Sequence, residues 1–163
     1  MIFIKKVIKE LIPYIIIVII VILIRNFIAT PVRVEGDSMK KTFNNGDILI
    51  LYKLSDIQRY DVVVLLEEET HEKIIKRIIG LPNDTVAIKD GDIYINNEKV
   101  EDKYAYGITS DYDRITLDED EYFILGDNRL ISKDSRYFGP VNKDDIMGEV
   151  IFRIFPFNKI GKI

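Results

Sequence analysis

Cysteine is absent from the 163 residues, which excludes disulfides, thiolate metal sites and a thiol nucleophile and leaves the fold to stand on packing alone. Histidine is almost absent: the one copy, His71, sits in the charged, turn-like run EEETHEK. A Ser-His-Asp triad needs an imidazole held rigidly beside its nucleophile, so His71 reads as a solvated loop residue. No repeat, low-complexity tract or soluble helix longer than two turns is visible, and no cofactor or metal site is expected.

One long apolar run is present. LIPYIIIVIIVILI, Leu11 to Ile24, falls short of the roughly 20 residues that cross a ~30 Å hydrocarbon core. With Arg25 snorkelling to the headgroups the span reaches Ala29 and is long enough. The preceding MIFIKKVIKE sets Lys5, Lys6 and Lys9 against Glu10. By the positive-inside rule residues 1–10 stay cytoplasmic, residues 11–29 form a single-pass anchor and residues 30–163 lie on the outer face. A cleaved signal peptide starts similarly, but this core is longer than usual and Ile28-Ala29-Thr30 ahead of Pro31 is no clean small-x-small site. Pro13 and the unbroken isoleucines oppose a buried amphipathic helix.

Four of the 23 basic residues and one of the 27 acidic ones precede residue 31, so the remainder carries a formal charge of −7. That excludes a nucleic-acid partner, which would require a basic surface, and leaves the lipid membrane and protein substrates as partners.

Beyond the anchor the chain alternates short apolar runs with turn residues. TPVRVEG, DILILYK, YDVVVLLE, KIIKRIIG, EYFILGD and GEVIFRIF each have the length and Val/Ile content of a strand. Asn44-Asn45-Gly46 and Pro82-Asn83-Asp84 supply turns, and VAIKDGDIYINNEKV predicts a hairpin turning at Asp90-Gly91. The expectation is a mostly β domain, a coiled antiparallel sheet or small barrel, with residues 83–120 as an elaboration.

With cysteine and histidine set aside, a nucleophilic serine is left with lysine as its base. Lysine is a poor base near its ordinary pKa of about 10.4; lowering that by about three units costs roughly 4 kcal/mol, which apolar burial must impose. Lys76 meets the condition best. In KIIKRIIG a period of two puts Ile74, Lys76 and Ile78 on one face and Ile75, Arg77 and Ile79 on the other. Taken alone, Lys76 also fits an edge-strand lysine that deters aggregation. Lys40 and Lys41 lie closer in sequence to a serine, Ser38, but lack apolar flanks. GDNRLISKDSRYFGPV, Gly126 to Val141, is dense in hydrogen-bonding side chains and by itself fits a self-satisfied polar loop.

Taken in order behind the anchor, GDSMKKTF, GDILILYK, KRIIGLPND and GDNRLISKDSRYFG resemble the motif series of type I signal peptidases of the short bacterial form. The resemblance implies a membrane-anchored serine endopeptidase with a Ser/Lys dyad that removes signal peptides from exported preproteins on the outer membrane face. It makes Ser38 the nucleophile, within the loop of Gly36, Asp37 and Met39, and Lys76 the general base. Ser132 falls where a serine hydrogen-bonds and orients the lysine. Asp134 and Arg136 match a pair that supports the site from behind, and Asp127, Asn128 and Arg129 fit the adjacent G-D-N-R element. The Ser38 backbone N–H would meet the oxyanion; Gly36 stands where some relatives add a serine hydroxyl. The alternative is a catalytically weakened peptidase-like scaffold or assembly factor for exported proteins.

Two positions depart from the pattern. Lys41 stands where S-M-x-P-T has proline, and Asn83 where G-L-P-G-D has glycine. Losing proline frees φ at the turn and loosens the loop by up to about 1 kcal/mol, so Lys41→Pro is expected to leave activity within about tenfold. Asn83 is the milder change, since asparagine tolerates left-handed conformations.

Overall fold

The computed structural model describes residues 2–67 and 71–163, with side chains from residue 9 onward. The side chains of Lys5 and Lys6, on which the orientation argument rests, lie outside the described residues, as do Glu68, Glu69 and Thr70 of the histidine-bearing run.

Helix α1 (Ile2–Leu23) runs into a π-helical turn, Ile24–Ile28. Lys9–Ile28 is long and apolar enough to cross a membrane, and none of that window is buried against protein. Ala29, counted into the span by hydropathy, is instead the first residue of strand β1 (Ala29–Arg33). No linker intervenes. The junction is tied by Lys53, whose N–H donates to Ile28 O at 2.9 Å and whose Nζ donates to Asn26 O at 2.9 Å.

Next come β2 (Ile48–Tyr52), β3 (Val62–Leu66), β4 (Lys73–Gly80), β5 (Thr85–Lys89), β6 (Asp92–Ile95), β7 (Glu98–Val100), β8 (Tyr112–Thr116) and β9 (Glu121–Leu125). The four-residue α2 (Ser135–Phe138), β10 (Val141–Asn142), β11 (Ile146–Phe155) and β12 (Gly161–Lys162) complete the chain. The large sheet is antiparallel in the order β1-β2-β11-β3-β4-β9-β10, with β12 on β11. It is open, because β1 and β10 are unpaired ends of that path. The small sheet, β7-β6-β5-β8, falls within the expected elaboration. Its hairpin turns where expected, with Asp90 at φ 55° and Gly91 at φ 84°. Asn83 sits at φ 67°, the left-handed conformation that asparagine accepts more readily than most residues.

Burial follows the strand period. Leu49, Leu51, Val62, Val64 and Ile75 form one cluster with Met39 and Phe43. Val63, Leu65, Ile78 and Ile124 form a second on another face of the large sheet. Ile79, Phe123 and Leu125 join Val86, Ile88 and Ile93 in a third between the two sheets. The first cluster positions the site: Met39 and Phe43 are both essentially buried, so the loop carrying Ser38 is pinned into the sheet on either side of its turn.

Candidate active site

Ser38 is presented by a tight loop. Lys40 N–H donates to Asp37 O at 3.0 Å, and Thr42 N–H and Phe43 N–H donate to Met39 O at 3.1 and 2.8 Å. Burying Met39 turns its neighbour outward, leaving Ser38 partly exposed. Among the described residues the Ser38 N–H donates to nothing, while Ser38 O accepts from Asn128 N–H at 2.9 Å. Gly36, at φ 78°, supplies no hydroxyl.

Lys76 lies mid-strand in β4 opposite Val63 of β3 and is 3% exposed. Its Nζ is 3.1 Å from Ser38 Oγ. Burial pushes its pKa down to about 8, against the opposing pull of the Asp134 and Glu67 carboxylates. Desolvation disfavours the ammonium because a low-dielectric interior cannot replace its hydration. The expected depression of about three units is met closely in size and in cause.

Behind the pair, Asp134 is fully buried. It accepts from Arg136 Nε at 2.8 Å, Arg136 Nη2 at 2.9 Å and Gly126 N–H at 2.9 Å. Arg136 also reaches Ser132 O at 3.3 Å and Arg129 O at 3.1 Å. The Asp134–Arg136 pair therefore fixes the 126–132 turn rather than touching Ser38. Asn128 grips the Ser38 loop twice, through its N–H to Ser38 O and its Nδ2 to Asp37 O at 3.2 Å. Arg129 is buried, with Nε on Gly126 O at 2.9 Å, Nη1 on Thr109 Oγ1 at 2.7 Å and Nη2 paired to Asp102.

One expected contact is not formed. Ser132 Oγ is buried and has no hydrogen-bond partner among the described residues, so it does not orient Lys76, whose amine turns to Ser38. The hydroxyl packs against Gly126, where an added Cβ would lie 2.6 Å from Ser132 Cβ and 2.7 Å from Ser38 O. Gly126 permits this close approach because it lacks that carbon.

Arg77 was not singled out in the sequence, yet it is central. It is 2% exposed and grips Asp127 bidentately, Nε to Oδ1 at 2.8 Å and Nη2 to Oδ2 at 2.7 Å. Thr42 Oγ1 donates to the same Asp127 carboxylate, linking the Ser38 loop, β4 and the 126–132 turn. The alternation that turned Arg77 away from Lys76 did signal a buried face; its partner, 50 residues on, carried no local signal.

Val32, Arg33, Ser38, Ile74, Ile75 and Lys76 line a groove between β1 and the first half of β4. Both strands offer free backbone there. β1 ends the sheet, and β4 pairs with β9 only from Arg77 onward, so among the described residues Lys73–Lys76 pairs with β3 alone. Unpaired N–H and C=O groups of this kind accept an added strand.

A model of the family described as "Signal peptidase, peptidase S26" matches residues 6–155. Signal peptidase I of Bacillus licheniformis is 39% identical over 91% of this chain and 88% of its own length. That of Streptococcus pneumoniae TIGR4 is 32% identical over 96% of this chain and 97% of its own length. The crystal structure of a signal peptidase I from Enterococcus faecalis matches with a TM-score of 0.54 at 31% identity, covering 59% of this chain and 97% of that one. Fold, site and matches together define a peptidase with a mostly β core. More narrowly, the chain belongs to the signal peptidase family, peptidase S26.

Proposed function

We propose that Ser38 is the nucleophile and Lys76 its general base in a serine endopeptidase that removes signal peptides from exported preproteins. The observation that carries this is the buried amine 3.1 Å from a partly exposed hydroxyl. With a pKa of about 8, roughly a quarter of the amine is neutral at pH 7.5; at the ordinary value about a thousandth would be. The gain in competent base is therefore roughly 250-fold.

Neutral Lys76 takes the Ser38 proton as Oγ attacks the scissile carbonyl, and the free Ser38 N–H meets the developing oxyanion. Lys76 then returns the proton to the leaving amine and activates the water that hydrolyses the acyl-enzyme. Asp127 and Asn128 hold the loop that presents Ser38, Arg129 ties the 126–132 turn to Thr109 and Asp102, and Asp134 with Arg136 holds that turn behind Lys76. Ser132, whose hydroxyl packs against Gly126 and makes no bond to Lys76 among the described residues, belongs to the turn that Arg136 reaches through Ser132 O. A substrate segment bound as an extended strand would pair with the free edges of β1 and of Lys73–Lys76. Anchored by α1, with residues 1–10 cytoplasmic and the peptidase domain from residue 30 on the outer face, the groove lies close to the membrane surface.

Preprotein cleavage in detergent by Ser38→Ala and Lys76→Ala tests the assignment. Both should lose turnover, and wild-type activity in either one would refute the dyad. The scaffold alternative has no observation in its favour, because the hydroxyl and amine are already in hydrogen-bond contact.

A further inference from the structure

Lys41, which the sequence marks as a departure, has a specific structural job. Its backbone sits at φ 99°, a conformation closed to proline, whose ring holds φ near −65°. The local chain path thus differs from what a proline at this position would impose. Its Nζ reaches across 62 and 64 residues to donate to Lys103 O at 3.1 Å and Ala105 O at 3.2 Å.

Those carbonyls belong to a strap, residues 102–106, running from the small sheet across the site. Asp102, Tyr104 and Tyr106 are engaged there. Asp102 pairs with Arg129, and the Tyr104 ring stacks on the Arg77 guanidinium, 3.6 Å from Cζ to the ring centroid. Tyr106 N–H donates to Asp127 O at 2.7 Å, and Tyr106 O accepts from Arg129 N–H at 2.9 Å. These contacts fasten the strap to β4 and the 126–132 turn. Among the described residues, the only hydrogen bonds joining the strap to the nucleophile loop itself come from Lys41.

We propose that Lys41 is a positioning residue. Its ammonium, shared between two backbone carbonyls, locks the Ser38 loop to the 102–106 strap and so holds Ser38 Oγ in line with Lys76. The inference rests on the Ser38–Lys76 reading of the site. It assigns to a charged tie the loop rigidity that proline would give through its ring. An ammonium so employed is not a base, which removes Lys41 as a rival to Lys76.

Three variants of the full chain in detergent test it. Lys41→Met keeps the stem and the backbone conformation but loses both donors. It should lower kcat about five- to tenfold with KM within about twofold, because misplacement of the nucleophile acts on the chemical step and not on substrate capture. Amide exchange at Tyr106, read by mass spectrometry, should quicken by about tenfold as the strap loosens. Lys41→Arg, still able to bridge two carbonyls, should recover most of both. Lys41→Pro should fall below Lys41→Met, a larger loss than the sequence alone led one to expect, because the ring forbids φ 99° as well. Unchanged kcat in Lys41→Met overturns the proposal, as does a lowered kcat with unchanged exchange. The exchange arm is independent of activity, whereas failure of the dyad itself would appear as turnover in Ser38→Ala.

Discussion

Replacing Lys76 by methionine should abolish turnover and make the protein more stable, and the gain should depend on pH. The folded pKa of about 8 lies below the unfolded value of 10.5, a difference worth about 3.4 kcal/mol at 1.36 kcal/mol per unit. At pH 7 both states hold the proton, so the native state bears the whole cost of a buried ammonium. As pH rises through 8 the native lysine deprotonates while the unfolded one does not. Wild-type stability therefore climbs, by about 2 kcal/mol at pH 9.5 and by the full amount above 10.5. Methionine fills a similar volume and bears no such cost. Allowing about 1 kcal/mol for the lost hydrogen bond to Ser38, Lys76→Met should exceed wild type by about 2 kcal/mol at pH 7, roughly 4–8 °C in Tm. At pH 9.5 the two should nearly coincide. Thermal unfolding followed by near-UV circular dichroism at both pH values measures the gap, and titrations common to both proteins cancel. A variant less stable at pH 7, or a gap equal at the two pH values, would refute the argument that burial sets the basicity of Lys76.

With Lys76 as the proposed base, the same depressed pKa predicts that kcat/KM rises with pH and levels off above about 8, because only a neutral amine can take the Ser38 proton; a rate flat from pH 6 to 9 would exclude it as the base. Asp127→Ala strands the Arg77 guanidinium in the interior and should cost about 3–5 kcal/mol, measurable by denaturant unfolding, with Asp127→Asn less severe because it keeps one acceptor. Gly126→Ala drives a carbon into Ser132 and the Ser38 carbonyl. Displacing Ser38 by a few tenths of an ångström should lower kcat by about tenfold or more, and single-turnover kinetics would locate the loss in acylation.

How far the sequence foretold these features depends on how local each signal was. β4 and the depressed lysine within it were legible because KIIKRIIG carries a period-two pattern and its own apolar flank. The Ser38 loop was legible through its motif, although what steadies it, the burial of Met39 and Phe43, emerges only from packing. Arg77, Thr42 and Asp102 were missed for one reason: each acts through a partner far away in sequence, and an arginine on a strand looks the same whether it meets water or Asp127. β7, β10 and β12 were missed because two or three residues make no pattern. For Lys41 the sequence marked the position and the freed φ, but not the tie that its side chain makes. It showed a lost constraint on φ, and the structure shows a different φ held by a tie to the strap. The orienting bond expected of Ser132 came from resemblance alone, and here the hydroxyl faces Gly126.

The absence of a linker between the apolar helix and β1 changes how catalysis should be counted. A tethered domain samples a cloud of heights and angles, and its encounter with substrate is governed by tether statistics. Here the Lys53 contacts tie the helix end to the sheet, so that with α1 in a bilayer a tilt of the helix would carry over to the groove. A membrane-held substrate would then meet the groove by lateral diffusion in a plane, and the relevant concentration would be molecules per unit area. Bilayer thickness, to which a long apolar helix adapts in part by tilting, would then bear on the rate of the peptidase.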